Sequence, residues 1–379
     1  MRGAWLPAAG VALSLLVMTR VTSAHKPITS PFTYTADVRP ILRDRCSRCH
    51  APAGVAPMSL LTYQDAVPWG ESMRAELAAG HMPPWRVDRG AGHIHTQTAL
   101  TARELNVLLT WITGGAPPGD LAAEPEPSPL APAWPLGQPD AVLDLPAFTL
   151  AADDQEHVAT FTVPAGGSGR ALRAIDLLPG TPAIVRSATV EVQGGTPGTS
   201  AAIERKLALW VPGDDPMPLS LGTLRLPAHA TLTVRVRYRR TWSYEGKPMT
   251  DRSRVGMYFA AAPEPAVEAI TLSPERPATM PRAARAVAVY TDGDIGDAAV
   301  VVTAATPQGR RQELIAFHQR SGWTRRFWFS APVTLSRGTT LSVRVAADPP
   351  SLFPGGLRAA STSKVVSRPA AQVTLNVVP

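Results

Sequence analysis

Cysteine is almost missing from this chain: among 379 residues only Cys46 and Cys49 carry a thiol. A closed zinc site built on them would need two further Cys or His ligands at zinc spacing. Charge is sparse as well, at 18% of residues, while 39 residues are proline; that balance favours strands and loops over long surface helices. No apolar run is long enough to span a bilayer. No basic stripe with interleaved aromatics occurs, which argues against a nucleic-acid partner. The formal net charge of +7 could steer an acidic redox partner, but scattered surface arginine is the favoured account of it. No internal repeat is evident. What remains is an ordinary hydrophobic content of 45%, enough to build cores, on a chain long enough for two or three domains.

The two thiols lie in one short run, Cys46-Ser47-Arg48-Cys49-His50. Thiols separated by two residues can each add to one vinyl group of a haem, and the histidine that follows is placed to bind the iron from the proximal side. A thioredoxin-like CxxC would open a helix after a strand in a βαβ context, which this stretch lacks. The N-terminus fits the haem expectation. Arg2, a short apolar core Leu13–Met18 and the small residues Val21-Thr22-Ser23-Ala24 read as a signal peptide, 1–24, cleaved after Ala24. An exported, periplasmic or secreted protein is expected, with no integral span after cleavage. Export matters because c-type haem is attached outside the bacterial cytoplasm, where two thiols at this spacing otherwise close a disulfide.

The pattern changes along the chain. Residues 25–120 read as helical. Val38, Ile41 and Leu42 share a helix face running into the cysteine motif, and Thr62 caps a second helix to Ala79, bent near Pro68. Thr101-Ala102-Arg103-Glu104 is a capping box ahead of Leu105, Leu108, Leu109 and Ile112, and Gly114-Gly115 ends that helix. A Pro-rich linker, 121–135, follows. Beyond it, runs such as 158–163, 188–192, 232–238 and 341–345 alternate apolar and polar, with Gly and Pro between them. Two β-sandwiches are expected, 136–262 and 263–379, divided near Ala261–Pro265. The expected architecture is therefore multidomain: an all-α class I-like cytochrome c domain followed by all-β tandem sandwiches.

His50 supplies one axial ligand. For the other, Met82 in Gly80-His81-Met82-Pro83-Pro84-Trp85 is favoured, because a proline-stiffened loop between two helices can hang over the open haem face. A thioether there stabilises reduced iron, as an electron carrier needs. Met58 and Met73 are expected to pack, and His81, His93 and His95 are the nitrogen alternatives.

Four separated motifs in order (VRPIL before CSRCH, then VAPMSLLTYQDAVPW, HMPPW and LTARELNVLLTWITGGAP) make the stretch 34–119 resemble a class of bacterial monohaem cytochrome c domains. The resemblance implies Met82 as the distal ligand. Trp85 and Trp111 are expected to pack about the haem or, more simply, to serve as core aromatics. The C-terminal part resembles copper type II, ascorbate-dependent monooxygenases, of the peptidylglycine α-hydroxylating kind. The similarity lies at Leu178-Pro179-Gly180 with Ile184-Val185, at 235–239 with 251–258, and at 323–341. The copper ligands implied by that family are missing. Arg186-Ser187 stands for a His pair, Arg237-Tyr238-Arg239 for His-Tyr-His, and 286–290 holds no histidine. Arginine stays protonated and does not ligate copper. After Ala133 only His157, His229 and His318 remain, so copper is not expected. His25, the first residue after cleavage, would need a partner histidine to chelate it.

The sequence therefore predicts an electron-transfer protein with one covalent haem c. Cys46 and Cys49 would tether it, and His50 and Met82 would hold the iron. The β-rich part would dock a periplasmic redox partner. Arg186, Arg237, Arg239 and Arg240 are expected on exposed strand faces; the resemblance would gather them near the vacated copper positions, where an anion site is the alternative. Trp323, Phe327, Trp328 and Phe329 are expected in a core. The alternatives are a copper monooxygenase with a fused haem donor, and a haem sensor or enzyme with an open sixth position.

Overall fold

The computed structural model describes residues 29–88, 94, 100–123, 134–166, 170–193, 206–214, 223–226, 230–261, 264–347 and 371–379. The signal segment 1–24, His25, His93, His95, His229 and most of the linker, 124–133, lie outside the described residues.

The expectation of an all-α cytochrome domain is overturned. Strands make up 43% of the structure, and among the described residues helices are few and short and no all-α domain is evident. Proline and glycine explain much of this. Around Pro40 the stretch 34–46 coils as wide π-type turns, Tyr34–Val38 and Leu42–Cys46, on either side of Arg39–Ile41. Thr62 caps the single turn Tyr63–Ala66, its hydroxyl accepting from the Asp65 amide at 3.1 Å. Pro68 then tightens Val67–Trp69 before α1 (Gly70–Ala78). Among the described residues only α2 (Ala102–Thr113) reaches three turns, and it carries the full capping box, with Thr101 and Glu104 satisfying each other's amides. These pieces close on a small core of Tyr34, Val38, Leu42, Leu60, Leu108, Trp111 and Ile112. Their polar tips reach loop carbonyls: Tyr34 Oη donates to Leu60 at 3.3 Å, Tyr63 Oη to Ala116 at 3.0 Å and Trp111 Nε1 to Pro117 at 3.0 Å.

The same region contributes a strand, β1 (Trp85–Val87). The next ten strands are β2 (Ala141–Asp144), β3 (Phe148–Leu150), β4 (Glu156–Pro164), β5 (Ala171–Leu178), β6 (Val185–Gln193), β7 (Lys206–Trp210), β8 (Leu224–Arg225), β9 (Thr231–Arg239), β10 (Met249–Asp251) and β11 (Arg254–Phe259). The last eight are β12 (Glu268–Leu272), β13 (Ala278–Thr279), β14 (Ala284–Thr291), β15 (Ala298–Ala305), β16 (Arg311–Gln319), β17 (Phe327–Leu335), β18 (Thr340–Ala347) and β19 (Val373–Val378).

The ladders are antiparallel. In the first sheet pair, β2-β11-β5-β8 and β4-β9-β6-β7 share one apolar core. Leu172, Leu177, Val255 and Met257 from one sheet meet Val190, Leu232, Val234 and Val236 from the other. In the second pair, β1-β16-β15-β18-β13 and β12-β19-β14-β17 enclose Val300, Val302, Phe317, Val289, Phe327 and Leu375. β1 lies at the edge of that sheet, with Trp85 opposite Gln319, Arg86 opposite His318 and Val87 opposite Phe317. The N-terminal region is thus stitched by backbone pairing into the second sheet pair. Among the described residues no helix is long and apolar enough to cross a membrane.

Candidate functional site

Cys46–His50 forms one tight turn at the end of the 34–46 helical stretch. The Cys49 and His50 amides both donate to the Cys46 carbonyl, at 3.1 and 2.9 Å. The chain then doubles back through a Pro- and Gly-containing loop, with the Leu60 amide donating to the His50 carbonyl at 3.0 Å. This puts both sulfurs and the imidazole on one short segment whose ends are fixed.

The two thiols are free, not joined as a disulfide. Burial pushes each of them up to about 12; Glu104 adds to the shift at Cys46, as Cys46 does at Cys49. They are therefore protonated at neutral pH, the opposite of the low-pKa thiolate that a redox CxxC needs. Burial lowers the pKa of His50, which keeps its imidazole neutral with a lone pair to offer. Its Nδ1 is buried with no completed hydrogen bond, although the Met58 carbonyl lies close enough to oppose part of the burial effect. A metal-bound histidine holds its second nitrogen against such a carbonyl. Two adjacent free thiols and one neutral, enclosed imidazole are the donor set that covalent haem requires, so these residues fit the group.

The sixth-ligand candidates separate by environment. Met58 and Met73 pack into the N-terminal core beside Cys46. His81 Nδ1 is 3.1 Å from Glu76 Oε2. Met82 stands outside that core and is 40% exposed, so its thioether is not consumed by packing. Of the aromatics, Trp111 is a core residue of the N-terminal region, whereas Trp85 is buried at the seam with the sheets.

That seam is what sequence patterning missed. The Cys49 thiol faces the Pro212 carbonyl at 3.7 Å. Gly213, at φ +78°, lets this turn close over it: a Cβ there would lie 3.3 Å from Cys49 Sγ and 3.5 Å from Trp85 Cη2. Behind it, buried Arg325 pairs with Asp214 and lies 4.5 Å above the Trp85 ring. Trp323 sits 6.0 Å from Trp85 between ring centroids. Ser243 Oγ donates to the Pro57 carbonyl at 3.0 Å, fixing the loop that carries Met58. Apart from a turn-like Val211-Pro212-Gly213-Asp214, no local signal marks these residues as neighbours of Cys49.

The arginines are only partly as expected. β6 carries a bulge between Val185 and Ser187, and the extra residue is Arg186. Its guanidinium is near Cys49, Arg237, Arg239 and Glu156, and burial followed by repulsion from Arg239 lowers its pKa to about 10. Its one hydrogen bond among the described residues goes to the Ala183 carbonyl, at 3.1 Å. Arg237 Nε lies 2.7 Å from Glu156, and Arg239 Nε lies 3.9 Å from the same carboxylate. Arg240 does not join them. It points into the fold and donates to the carbonyls of Leu150, Ala151 and Ala152.

The positions where copper ligands were sought behave as strand residues. Ala286, Ala288, Val289 and Tyr290 are buried in β14. His157 stacks on Phe148 at 4.9 Å, and His318 Nε2 is 3.0 Å from Asp88. Among the described residues no group of three or more His, Cys, Asp or Glu side chains gathers as a metal cage. Phe327 and Phe329 are core residues, as expected for that aromatic cluster; Trp323 and Trp328 are half-buried against the cores. No family model and no curated protein matches the chain.

Proposed function

We propose that this protein is an exported c-type monohaem electron carrier. Cys46 and Cys49 form the two thioether links, His50 is the proximal ligand and Met82 the distal one. The observation that carries this is the enclosed His50 imidazole, kept neutral by burial and facing the Met58 carbonyl, one residue from a free, protonated thiol. Haem, when bound, supplies one-electron iron chemistry.

The chain's own residues do the rest. The Cys46–His50 turn fixes the tether and ligand on one segment. The Met58 carbonyl is the nearby acceptor against which the imidazole would be held. The Val211–Asp214 turn covers Cys49, and Met82 stands available on its proline-bounded loop. No acid, base or nucleophile is required. A copper monooxygenase would need imidazoles at positions that hold Arg186, Ser187, Arg237 and Arg239, and arginine is no ligand.

The test is production in a host with c-haem maturation. The mature chain gains the mass of one haem and gives the thioether-linked pyridine haemochrome spectrum; Cys46→Ser with Cys49→Ser gives neither. Haem that extracts into acidified organic solvent, or no haem at all, rejects the proposal. Met82→Ala then lowers the reduction potential and alters the reduced spectrum; if both survive unchanged, Met82 is not the ligand.

A further inference from the structure

We infer that the outer face of β9, with the turn after it, is the docking surface for an acidic redox protein. This rests on the electron-carrier proposal and names its partner's contact site. Alternation along β9 buries Leu232, Val234, Val236 and Tyr238 and turns Arg235, Arg237 and Arg239 outward. The bulge at Arg186 aims a further guanidinium at the same face, on the side nearest Cys49. Arg235 is paired with Glu191 at 2.8 Å, and Arg186, Arg237 and Arg239 share Glu156, with Asp294 3.9 Å from Arg237, so these groups leave a small excess of positive charge, carried chiefly by Arg186 and the exposed Arg239. Excess arginine beside the covalent attachment point complements carboxylates on a partner and steers its approach.

Charge is not the only feature of this face. Trp242, three residues beyond Arg239, is 64% exposed, and Val158, directly opposite Arg237 on β4, is 54% exposed. An exposed tryptophan on a soluble surface is uncommon, and Trp with Arg is the pairing that anchors protein interfaces. The Trp242 turn is also held against the attachment region, through Ser243 and the Pro57 carbonyl. A partner seated on Trp242 and Arg239 is therefore brought against the Cys49 edge. The patch differs from a small-anion pocket in being open and partly apolar: Arg239 is 61% exposed.

The experiment uses the full mature chain and a fluorescent decaglutamate peptide, with decalysine as control. Decaglutamate binds, and binding falls as salt rises. Arg239→Glu and Trp242→Ala each weaken it, the first by about tenfold or more, while Arg311→Glu on the distant strand β16 leaves it unchanged. Both test residues are exposed, so the variants fold. In parallel, the reduced protein is oxidised by hexacyanoferrate(III) faster than by tris(phenanthroline)cobalt(III), and Arg239→Glu narrows that gap. Decaglutamate binding that ignores Arg239→Glu and Trp242→Ala overturns the inference. So does loss of binding with Arg239→Glu alone, which marks a charge site without an interface. Peptide binding is also measured on the Cys46→Ser, Cys49→Ser chain. Haem failure with intact peptide binding sinks the electron-carrier proposal, while haem success without binding sinks only this surface.

Discussion

The N-terminal region and the two sheet pairs bury themselves in opposite ways. The sheet pairs are closed systems, in which each strand's apolar side faces a partner sheet and its amides are spent in ladders. The N-terminal region has only short helical pieces around a modest core, and it borrows its closure: a strand from β16, a turn at Pro212-Gly213, a hydroxyl from Ser243. Small cores are marginal on their own. The contrast teaches that stability resides in the sheets while the candidate chemistry lies at the seam, where its geometry depends on all three parts.

The largest test of that contrast is to remove the proposed haem attachment. Cys46→Ser with Cys49→Ser is expected to abolish haem content and to open the N-terminal region to limited proteolysis while fragments covering the sheet pairs persist. Uniform proteolysis of the whole chain would show that the regions are not separable. Next, Trp111→Ala removes a fully buried ring and is expected to cost about 3–5 kcal/mol. It should melt the N-terminal region first. Leu232→Ala, in the first sheet pair, should cost about 2–5 kcal/mol and shift the main transition instead. Calorimetry that gives both variants the same single transition would remove the distinction.

A smaller effect compares two arginines. Arg240→Met strands backbone carbonyls and should destabilise by about 1–3 kcal/mol. Arg186→Met removes a poorly compensated charge and should leave the melting temperature equal or higher. The reverse ranking would mean that the strand-face arginines are structural.

The smallest concerns the helix cap. Thr101→Ala should cost about 1 kcal/mol. Burial acts to raise the Glu104 pKa, but the Thr101 amide and hydroxyl and Arg45 outweigh it, so the net shift is downward. A depressed carboxylate binds fewer protons folded than unfolded. Its stabilisation is complete above the unfolded value, near 4.5, and fades as pH falls through the lower folded value. Glu104→Gln should therefore flatten the acid side of the stability profile, as acid titration of unfolding will show.

Much of the local structure was legible because its causes are local. Thr101 and Glu104 announce their helix, and the alternating runs 158–163, 188–192, 232–238 and 341–345 all lie within strands. Cys46, Cys49 and His50 are one turn in sequence and in space. The all-α expectation failed at Pro40 and Pro68, which divide the expected helices into short pieces of different helix type, and at Trp85–Val87, a strand that pairs with Phe317–Gln319. That pairing joins residues far apart in the chain and leaves no local trace. Arg240 leaves the arginine group for a related reason: the end of β9 turns it inward, whereas the one-residue bulge keeps Arg186 beside Arg237 and Arg239. The cover over Cys49 from Gly213 is equally non-local.

The most direct test of the central claim is iron and copper content per chain in mature protein from a haem-maturing host, before and after copper loading. One iron and no copper is the predicted result. Stoichiometric copper, or no iron, would contradict it.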